Sequence, residues 1–317
     1  MLEFAFQNLI MINLYIILGV SYNLLVGYAG LFSIAHAAFY GIGAYVSAIV
    51  AMRLGLPFLL AVVAGMVVAG VVSALLAIPA LRVSGDYLVI ASFGFQIIIY
   101  SVFLNWYDMT RGPAGLPGIP RADLFGYRVP ANPPYAYFAL TLAFAVVVAL
   151  IAWRVGNSPF GRVLKAIRED EVATQAFGKN ITQVKVTVFV VAGALAAIAG
   201  SLYAHYITFI SPYDFTLDNS IFILSLVIVG GAGTLRGSIA GAIILWVLPT
   251  ALRFLNLPDA VAAQGRQMLY GILMVLFVVF RPQGLLGDYA AVKSAPEPAG
   301  ASGECEEVTA APAISEN

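Results

Sequence analysis

Long apolar runs joined by short polar stretches fill most of this chain. Runs long enough to cross a bilayer occupy residues 4–26, 31–52, 57–81, 87–106, 135–153, 186–206, 221–229 with its flanks, 239–255 and 267–280. A span needs about 20 apolar residues, so the pattern predicts nine membrane segments. The runs at 31–52 and 221–229 read as broken or re-entrant, which leaves eight to ten. Two places stand out within this pattern. Gly27, Tyr28, Ala29, Gly30 and Leu31 interrupt one run, and Gly230, Gly231, Ala232, Gly233, Thr234 and Leu235 interrupt another. Each break opens into a small-residue stretch, one holding Ser33, His36, Gly41 and Gly43, the other Ser238 and Gly241. Glycine-broken segments at corresponding places in two halves point to a transporter with an internal repeat. Irregular backbone at membrane depth survives only where protein packs it or a cavity runs beside it. The competing reading of each segment alone is a glycine-rich face for helix packing. Their recurrence favours transport.

Composition narrows the class. The chain of 317 residues is 61% hydrophobic and 10% charged, with a mean hydropathy of +0.93. Soluble domains are about 25% charged, so this is an all-α polytopic membrane bundle. The longest polar stretches, 107–134, 156–185 and the tail after 286, leave no room for a large extramembrane domain. The net charge of zero gives no reason to expect nucleic acid as a partner. Cys305 is the only cysteine, which excludes an intramolecular disulfide and a thiolate metal cluster. The first residues carry no basic n-region and read as the mature first helix. Across nine spans, ten Lys and Arg, from Arg82 and Arg154 through Lys293, fall on one side. Six, from Arg53 to Arg266, fall on the other. The richer side is expected to be cytoplasmic, with the N terminus outside and the C terminus inside.

Two loops deserve separate reading. The outer one, 107–134, is dense in Gly and Pro around residues 110–120, which enforces turns. It is expected to cap the outer mouth, to receive a partner, or to serve as a rigid surface connection. The inner one, 156–185, begins with Ser158 as a helix cap and Pro159 in the first turn. Phe160, Val163, Leu164 and Ile167 then recur at helical spacing, with Arg162, Lys165 and Arg168 on other faces. The helix is expected to break near Asp170 and stop at Gly178. A basic amphipathic helix of this kind can lie on a membrane, connect two spans, or dock in a partner's groove. No Gly-x-x-x-x-Gly-Lys-Ser/Thr loop is present, so any ATP-driven motor would be another subunit.

At this point the chain resembles a known family. Residues 22–45, 112–120, 158–171, 229–237 and 280–287 are similar to the motifs, in order, of permeases of the branched-chain amino acid ABC importer family, LivM type. The resemblance covers almost everything from residue 14 to residue 287. It implies a transmembrane permease domain over 1–287, while the Ala-, Pro-, Ser- and Glu-rich stretch 288–317 reads from its composition as a disordered cytoplasmic tail. It also implies a bacterial inner-membrane machine with a periplasmic substrate-binding protein, two ATP-binding subunits and a second, related permease as heterodimer partner. The inner loop takes the place of the family's ATPase-coupling loop. There Ser158, Pro159, Phe160, Gly161, Arg162, Leu164, Ala166, Ile167, Arg168, Glu169, Asp170, Glu171, Ala173 and Gly178 are the implied contact residues. Glu171, Ala173 and Gly178 match the general Glu-Ala-Ala…Gly pattern with the spacing off by about one residue. The family's relatives carry branched-chain amino acids, urea or amides, or aromatic acids.

The path or gate is expected among Asn23, Gly27, Gly30, Ser33, His36, Gly41, Gly43, Gln96, Gly230, Gly231 and Gly233. His36 is an intramembrane ionisable group, by default a functional candidate, though a hydrogen-bonded structural histidine is the commoner case. Asn23 and Gln96 either line the path or hold helices together. Tyr22, Tyr28, Tyr45, Tyr203 and Tyr206 read as interface anchors and His205 as interfacial. Arg82 and Asp86 flank an inner turn, and Arg236 follows the second break on the inner side. Asp214 and Asp218 read as loop residues, leaving no central carboxylate for a gradient-driven carrier. No catalytic set, metal site or cofactor is expected. The rival readings are a secondary transporter or a passive channel for a small solute.

Overall fold

The computed structural model describes residues 2–80, 87–124, 127–130 and 134–252, together with 265, 268, 271, 272, 275, 285 and 286. The tail, the run at 267–280 apart from those positions, and the turn holding Arg82 and Asp86 lie outside the described residues. Eleven α-helices are described: α1 (Leu2–Asn23), α2 (His36–Leu54), α3 (Phe58–Ala80), α4 (Tyr87–Asn105), the short α5 (Tyr107–Thr110), α6 (Tyr135–Asn157), α7 (Pro159–Glu169), α8 (Glu171–Ala176), α9 (Ile181–Ile207), α10 (Leu217–Gly230) and α11 (Leu235–Leu252). Among the described residues seven stretches are long and apolar enough to span: Glu3–Tyr28, His36–Leu54, Phe58–Ala80, Tyr87–Asn105, Tyr135–Asn157, Ile181–Ile207 and Pro212–Gly230. Leu235–Val247 is a shorter apolar helix. The second span starts at His36 rather than at residue 31, because the chain after Gly30 runs non-helically before α2 begins.

Small residues set the centre of the bundle. α9 packs against both α2 and α3. A side chain at Gly43 would overlap the backbone of Ala197, and one at Gly200 would overlap the Tyr40 carbonyl. Such close backbone approach is what small residues allow between membrane helices. Ser201 Oγ donates to the carbonyls of Gly43 at 3.2 Å and Ala197 at 2.9 Å, fastening the same crossing. α1 lies alongside, with 78% of its most apolar stretch buried. By contrast α3, α4 and α6 are only 39%, 22% and 33% buried over theirs and turn valines, leucines and isoleucines outward. Those three present the apolar surface that suits lipid.

The two ends of the bundle differ. At one end the Gly/Pro-rich loop folds into α5, a 3-10 turn at Gly112–Ala114 and three two-residue strands, β1 (Leu116–Pro117), β2 (Asp123–Leu124) and β3 (Tyr127–Arg128). β2 pairs with β3, while β1 pairs antiparallel with β4 (Phe209–Ile210), the segment that follows α9. Asp123 Oδ1 accepts from the Phe58 N–H at 2.8 Å, and Arg53 donates to the Asp108 carbonyl. His205, expected at an interface, is buried, and its Nδ1 lies 2.6 Å from the Pro120 carbonyl. It secures the loop to α9, because a ring one turn inside the helix end can reach a carbonyl presented by a proline turn. The other end carries both glycine breaks and the pair α7–α8.

Candidate functional site

The first break is built by a change of winding. α1 runs on into a π-helical turn, Leu24–Tyr28, all of whose residues are buried. Turns of this type concentrate at functional places within helices. Gly30 then takes φ +68°, a left-handed conformation that favours glycine. The start of α2 is buried inside the bundle, where the leading N–H groups of a helix have no water to meet. Side chains from two helices, α4 and α10, and from the break itself meet that need. Ile34 N donates to Ser92 Oγ at 2.9 Å, Ala35 N to Ser33 Oγ at 3.3 Å, Ala37 N to Ser220 Oγ at 3.0 Å and Ala38 N to Gln96 Oε1 at 2.8 Å. Gln96 Nε2 in turn donates to the Phe215 carbonyl at 2.9 Å, so this amide ties α4 to α2 and to the approach to α10. Tyr22 donates from its hydroxyl to the Ser33 carbonyl at 2.7 Å. His36 Nε2 lies 2.9 Å from Ser21 Oγ, while its buried Nδ1 has no partner among the described residues.

The second break is a turn between two close-packed helices. α10 ends at Gly230; Gly231 and Gly233 have φ of 113° and 90°. An added Cβ at Gly230 would overlap the Gly237 carbonyl, which sets the tight α10–α11 crossing. Thr234 Oγ1 caps α11 by accepting from Gly237 N at 3.1 Å and donates to the Leu286 carbonyl at 2.6 Å. Leu285 N and Leu286 N donate to the carbonyls of Val229 and Gly230, each at 3.0 Å, so a distant segment supplies the donors that the end of α10 lacks.

The two breaks meet. Asn23 Oδ1 accepts from Gly233 N at 2.9 Å, and its Nδ2 donates to the Thr234 carbonyl at 3.1 Å. The inner loop then reaches this junction. Ser158 caps α7 through Gly161 N at 3.2 Å, and Gly161, Leu164 and Ile167 turn inward. Gly161 admits no side chain, since a Cβ would overlap the carbonyls of Val155 and Gly156. Phe160 packs against the bundle core, and Lys165 Nζ sits 5.4 Å over the Tyr28 ring. Arg168 donates from Nη1 to the Gly27 carbonyl, and its Cγ lies 2.7 Å from where a Cβ on Gly30 would stand. The guanidinium also adjoins Gly233. One side chain of the loop therefore touches both breaks.

Away from the bundle, Asp170 ends α7 and caps α8 by accepting from Ala173 N at 2.9 Å. Glu171 pairs with Lys185 at 2.6 Å, holding α8 against α9. An open groove of about 520 Å³ runs between α7 and α8, lined by Pro159, Arg162, Val163, Ala166, Glu169, Asp170 and Ala173 among others. Phe177, 85% exposed, belongs to its lining, and Val172 of α8 is 78% exposed. Gly178, at φ +74°, follows the end of α8.

The remaining sequence candidates divide. Gly41 faces the rings of Phe103 and Phe215, and Gly43 faces Ala197, so both sit in packing contacts. Tyr22 and Tyr45 are buried within the bundle instead of lying at a membrane face. Asp214 and Asp218 are not loop residues. Asp214 belongs to a 3-10 turn, Pro212–Phe215, and Asp218 to the first turn of α10, both within the stretch Pro212–Gly230. Ser92 and Ser220, which help close α2, had no local sequence signal. Among the described residues no group of three His, Cys, Asp or Glu could hold a metal ion.

With this geometry in view, the comparisons with known proteins are decisive. The family model described as branched-chain amino acid transport system / permease component matches residues 4–278. The chain belongs to that permease family. It is 33% identical over 297 residues to the high-affinity branched-chain amino acid transport system permease protein LivM of Salmonella typhimurium, covering 87% of this chain and 68% of the relative. LivM of Escherichia coli K12 is likewise 33% identical, over 294 residues, covering 86% and 68%. LivH of Escherichia coli K12, a permease of the same kind of system, is 26% identical over 312 residues, covering 90% of this chain and 95% of LivH. No solved structure matches the chain significantly. The protein is thus a multi-pass membrane permease subunit of an importer.

Proposed function

We propose that this permease carries branched-chain amino acids, or a chemically close small solute, by alternating access driven from outside its own chain. Two ATP-binding subunits dock on α7–α8. A second, related permease completes the path, and a periplasmic protein delivers the solute to the opposite mouth. The end holding α7, α8 and both breaks faces the cytoplasm of a bacterial inner membrane, so the N terminus is periplasmic. Membrane lipid covers α3, α4 and α6.

The observation that carries this reading is Arg168. It extends from the loop helix to the Gly27 carbonyl and lies against Gly30 and Gly233. A push on α7 is therefore felt at both glycine breaks, the places where two spanning segments can bend. The exposed Phe177 in the groove lining, with Val172 exposed elsewhere on α8, supplies apolar surface for a partner.

The test is to tag the chain, extract it gently and identify its companions by mass spectrometry, for the native protein and for Val172→Asp with Phe177→Asp. The native chain is expected to bring an ATP-binding subunit and a second permease. The double variant should lose the ATP-binding subunit with an unchanged melting temperature, since both side chains are exposed and such changes usually cost within about 0.5 kcal/mol. Recovery of the native chain alone, transporting in liposomes without ATP, would overturn the reading.

A further inference from the structure

At the end of the bundle away from both glycine breaks, the end of α2 and the Gly/Pro-rich loop line a cavity of about 220 Å³. Its walls are Ile49, Met52 and Arg53 of α2, Asp108 and Met109 of α5, and Arg111 and Leu116 beyond them. Arg53 stands in the last turn of α2 and donates from Nη2 to the Asp108 carbonyl, which fixes its guanidinium beside the loop. A guanidinium has five N–H donors, so others remain for a ligand. Arg53, Asp108 and Arg111 are all exposed, and among the described residues Asp108 forms a salt bridge with neither arginine.

Arg111 carries the argument further. Its backbone is left-handed, at φ +60°, where glycine is favoured and any side chain is strained. The turn around it is pinned: Arg111 N donates to the Tyr107 carbonyl at 3.0 Å, and Thr110 Oγ1 to the Phe103 carbonyl at 2.7 Å. Glycines stand at 112, 115 and 118 of the same loop, each also at positive φ. Backbone geometry alone would favour glycine at 111 too. What the arginine adds is its side chain, at the wall of the cavity.

The lining then names the ligand. Guanidinium groups take a carboxylate in a fork of parallel hydrogen bonds. Asp108 would oppose a bare carboxylate, whereas a zwitterion meets it with an ammonium. The other four wall residues are aliphatic or thioether side chains, and methionine adapts to varied apolar shapes. The volume is about seven waters' share, at about 30 Å³ each, which suits one small molecule and not a peptide.

We propose that this cavity binds a free α-amino acid with a branched aliphatic side chain. Its carboxylate lies on Arg53 and Arg111, its ammonium on Asp108 and its side chain against the four apolar residues. The recognition chemistry stands by itself; the role rests on the importer reading. In that reading the solute arrives at this end, opposite α7 and α8, and the site holds it at the mouth once the delivery protein releases it.

The experiment uses the complete complex in nanodiscs without delivery protein, and equilibrium dialysis with radiolabelled leucine. Saturable binding is expected. Arg111→Gly, which suits the left-handed backbone, should melt no lower than the native protein. It should bind leucine at least about tenfold more weakly, the scale of a lost charged hydrogen bond. 4-Methylpentanoate, leucine's skeleton without the ammonium, should compete poorly on the native complex. Asp108→Asn should bind it better while binding leucine less well, an exchange of preference that a merely structural aspartate would not produce. Absence of saturable leucine binding, binding unchanged in Arg111→Gly, or unchanged preference in Asp108→Asn would each overturn the site. So would loss of delivery-protein docking in Arg111→Gly with leucine bound by neither form, which assigns the cavity to an acidic side chain of that protein. ATP-dependent uptake by the same complex in vesicles, with delivery protein present, is read separately. Uptake that needs ATP, without leucine binding at the cavity, rejects the site and leaves the importer reading. Leucine binding that Arg111→Gly weakens, with uptake independent of ATP, does the reverse.

Discussion

Asn23→Leu removes the stitch between the two breaks while keeping nearly the same volume. Asn23 is buried and spends both ends of its amide on the turn at 233–234. Each neutral hydrogen bond contributes about 1 kcal/mol net, and a stranded buried partner adds about 1–3 kcal/mol. Taken at face value the variant would cost about 4 kcal/mol or more by those figures. Measured side-chain hydrogen bonds in membrane bundles average nearer 0.6 kcal/mol and reach about 1.7, because the chain finds other partners before it packs. The second scale applies here, since the turn at 231–234 lies at the end of two helices where water can reach it once the stitch opens. The two bonds together are therefore worth about 1–3 kcal/mol. For a domain of this size that is a fall in melting temperature of about 2–12 °C, at about 2–4 °C per kcal/mol. The assay is fluorescence-detected size exclusion of the heated protein in detergent, alongside uptake by the reconstituted complex. Stability should fall by that amount and uptake per ATP hydrolysed should drop more than stability explains, because the junction joins the two bending points. A variant that melts with the native protein and transports at its rate would refute the argument.

Three further outcomes follow from the same geometry. Arg168→Ala should leave α7 folded, since its cap and its buried Leu164 and Ile167 are untouched, yet lower uptake at least about tenfold for the loss of a charged hydrogen bond worth about 1.5–3 kcal/mol; comparing ATP hydrolysis with uptake in the same vesicles checks it. Gly200→Val should abolish recovery of folded protein because its Cβ overlaps the Tyr40 carbonyl, whereas Gly94→Ala, with nothing within 4 Å, should fold as the native protein does; expression and size exclusion read both. Gln96→Leu strands the Ala38 N–H and the Phe215 carbonyl, and a loss of about 2–6 kcal/mol, from two buried groups at about 1–3 each, should appear as a lowered melting temperature.

What the sequence announced and what it hid follow from how local each signal is. Glycines at 27, 30, 230, 231 and 233 betrayed both breaks, since positive φ and close approach select glycine at the position itself. The inner loop was also readable: Ser158, Pro159 and Asp170 are local caps, and the helix pair begins and breaks where they stand. The closure of α2 was not readable. Its caps Ser92 and Ser220 are 58 and 183 residues from the N–H groups they meet, and an isolated serine in an apolar run has no periodicity to mark it. Arg168 is 141 residues from the Gly27 carbonyl it serves, so its spacing on α7 marked it only as a polar face. The tyrosines misled for a related reason. A phenol near the end of a run suits an interface as well as a buried bond to a carbonyl, and only the neighbouring helix decides. Asp214 and Asp218 read as loop residues, yet Pro212 just before them is at home in a first turn, and here it starts one.

The glycines of this chain also do two mechanically different things, and the difference bears on how it can move. At Gly43 and Gly200 the missing side chain lets backbones touch along the flanks of α2 and α9, and sliding there would drive atoms into one another. Packed cores resist such deformation because they offer discrete arrangements, not a continuum. At Gly30, Gly231 and Gly233 the missing side chain serves backbone conformation, and the tertiary bonds there are few and made by Asn23, Arg168 and Thr234. Rotation at these points opens hydrogen bonds without unpacking the α2–α3–α9 centre. Any motion that α7 transmits should therefore appear as bending of α1 and of the α10–α11 turn around a fixed centre. Spin labels placed on α2 and α9 should hold their separation through the transport cycle, while a pair on α7 and α11 should change theirs. A constant α7–α11 distance with a varying α2–α9 distance would reverse the assignment of rigid and mobile parts.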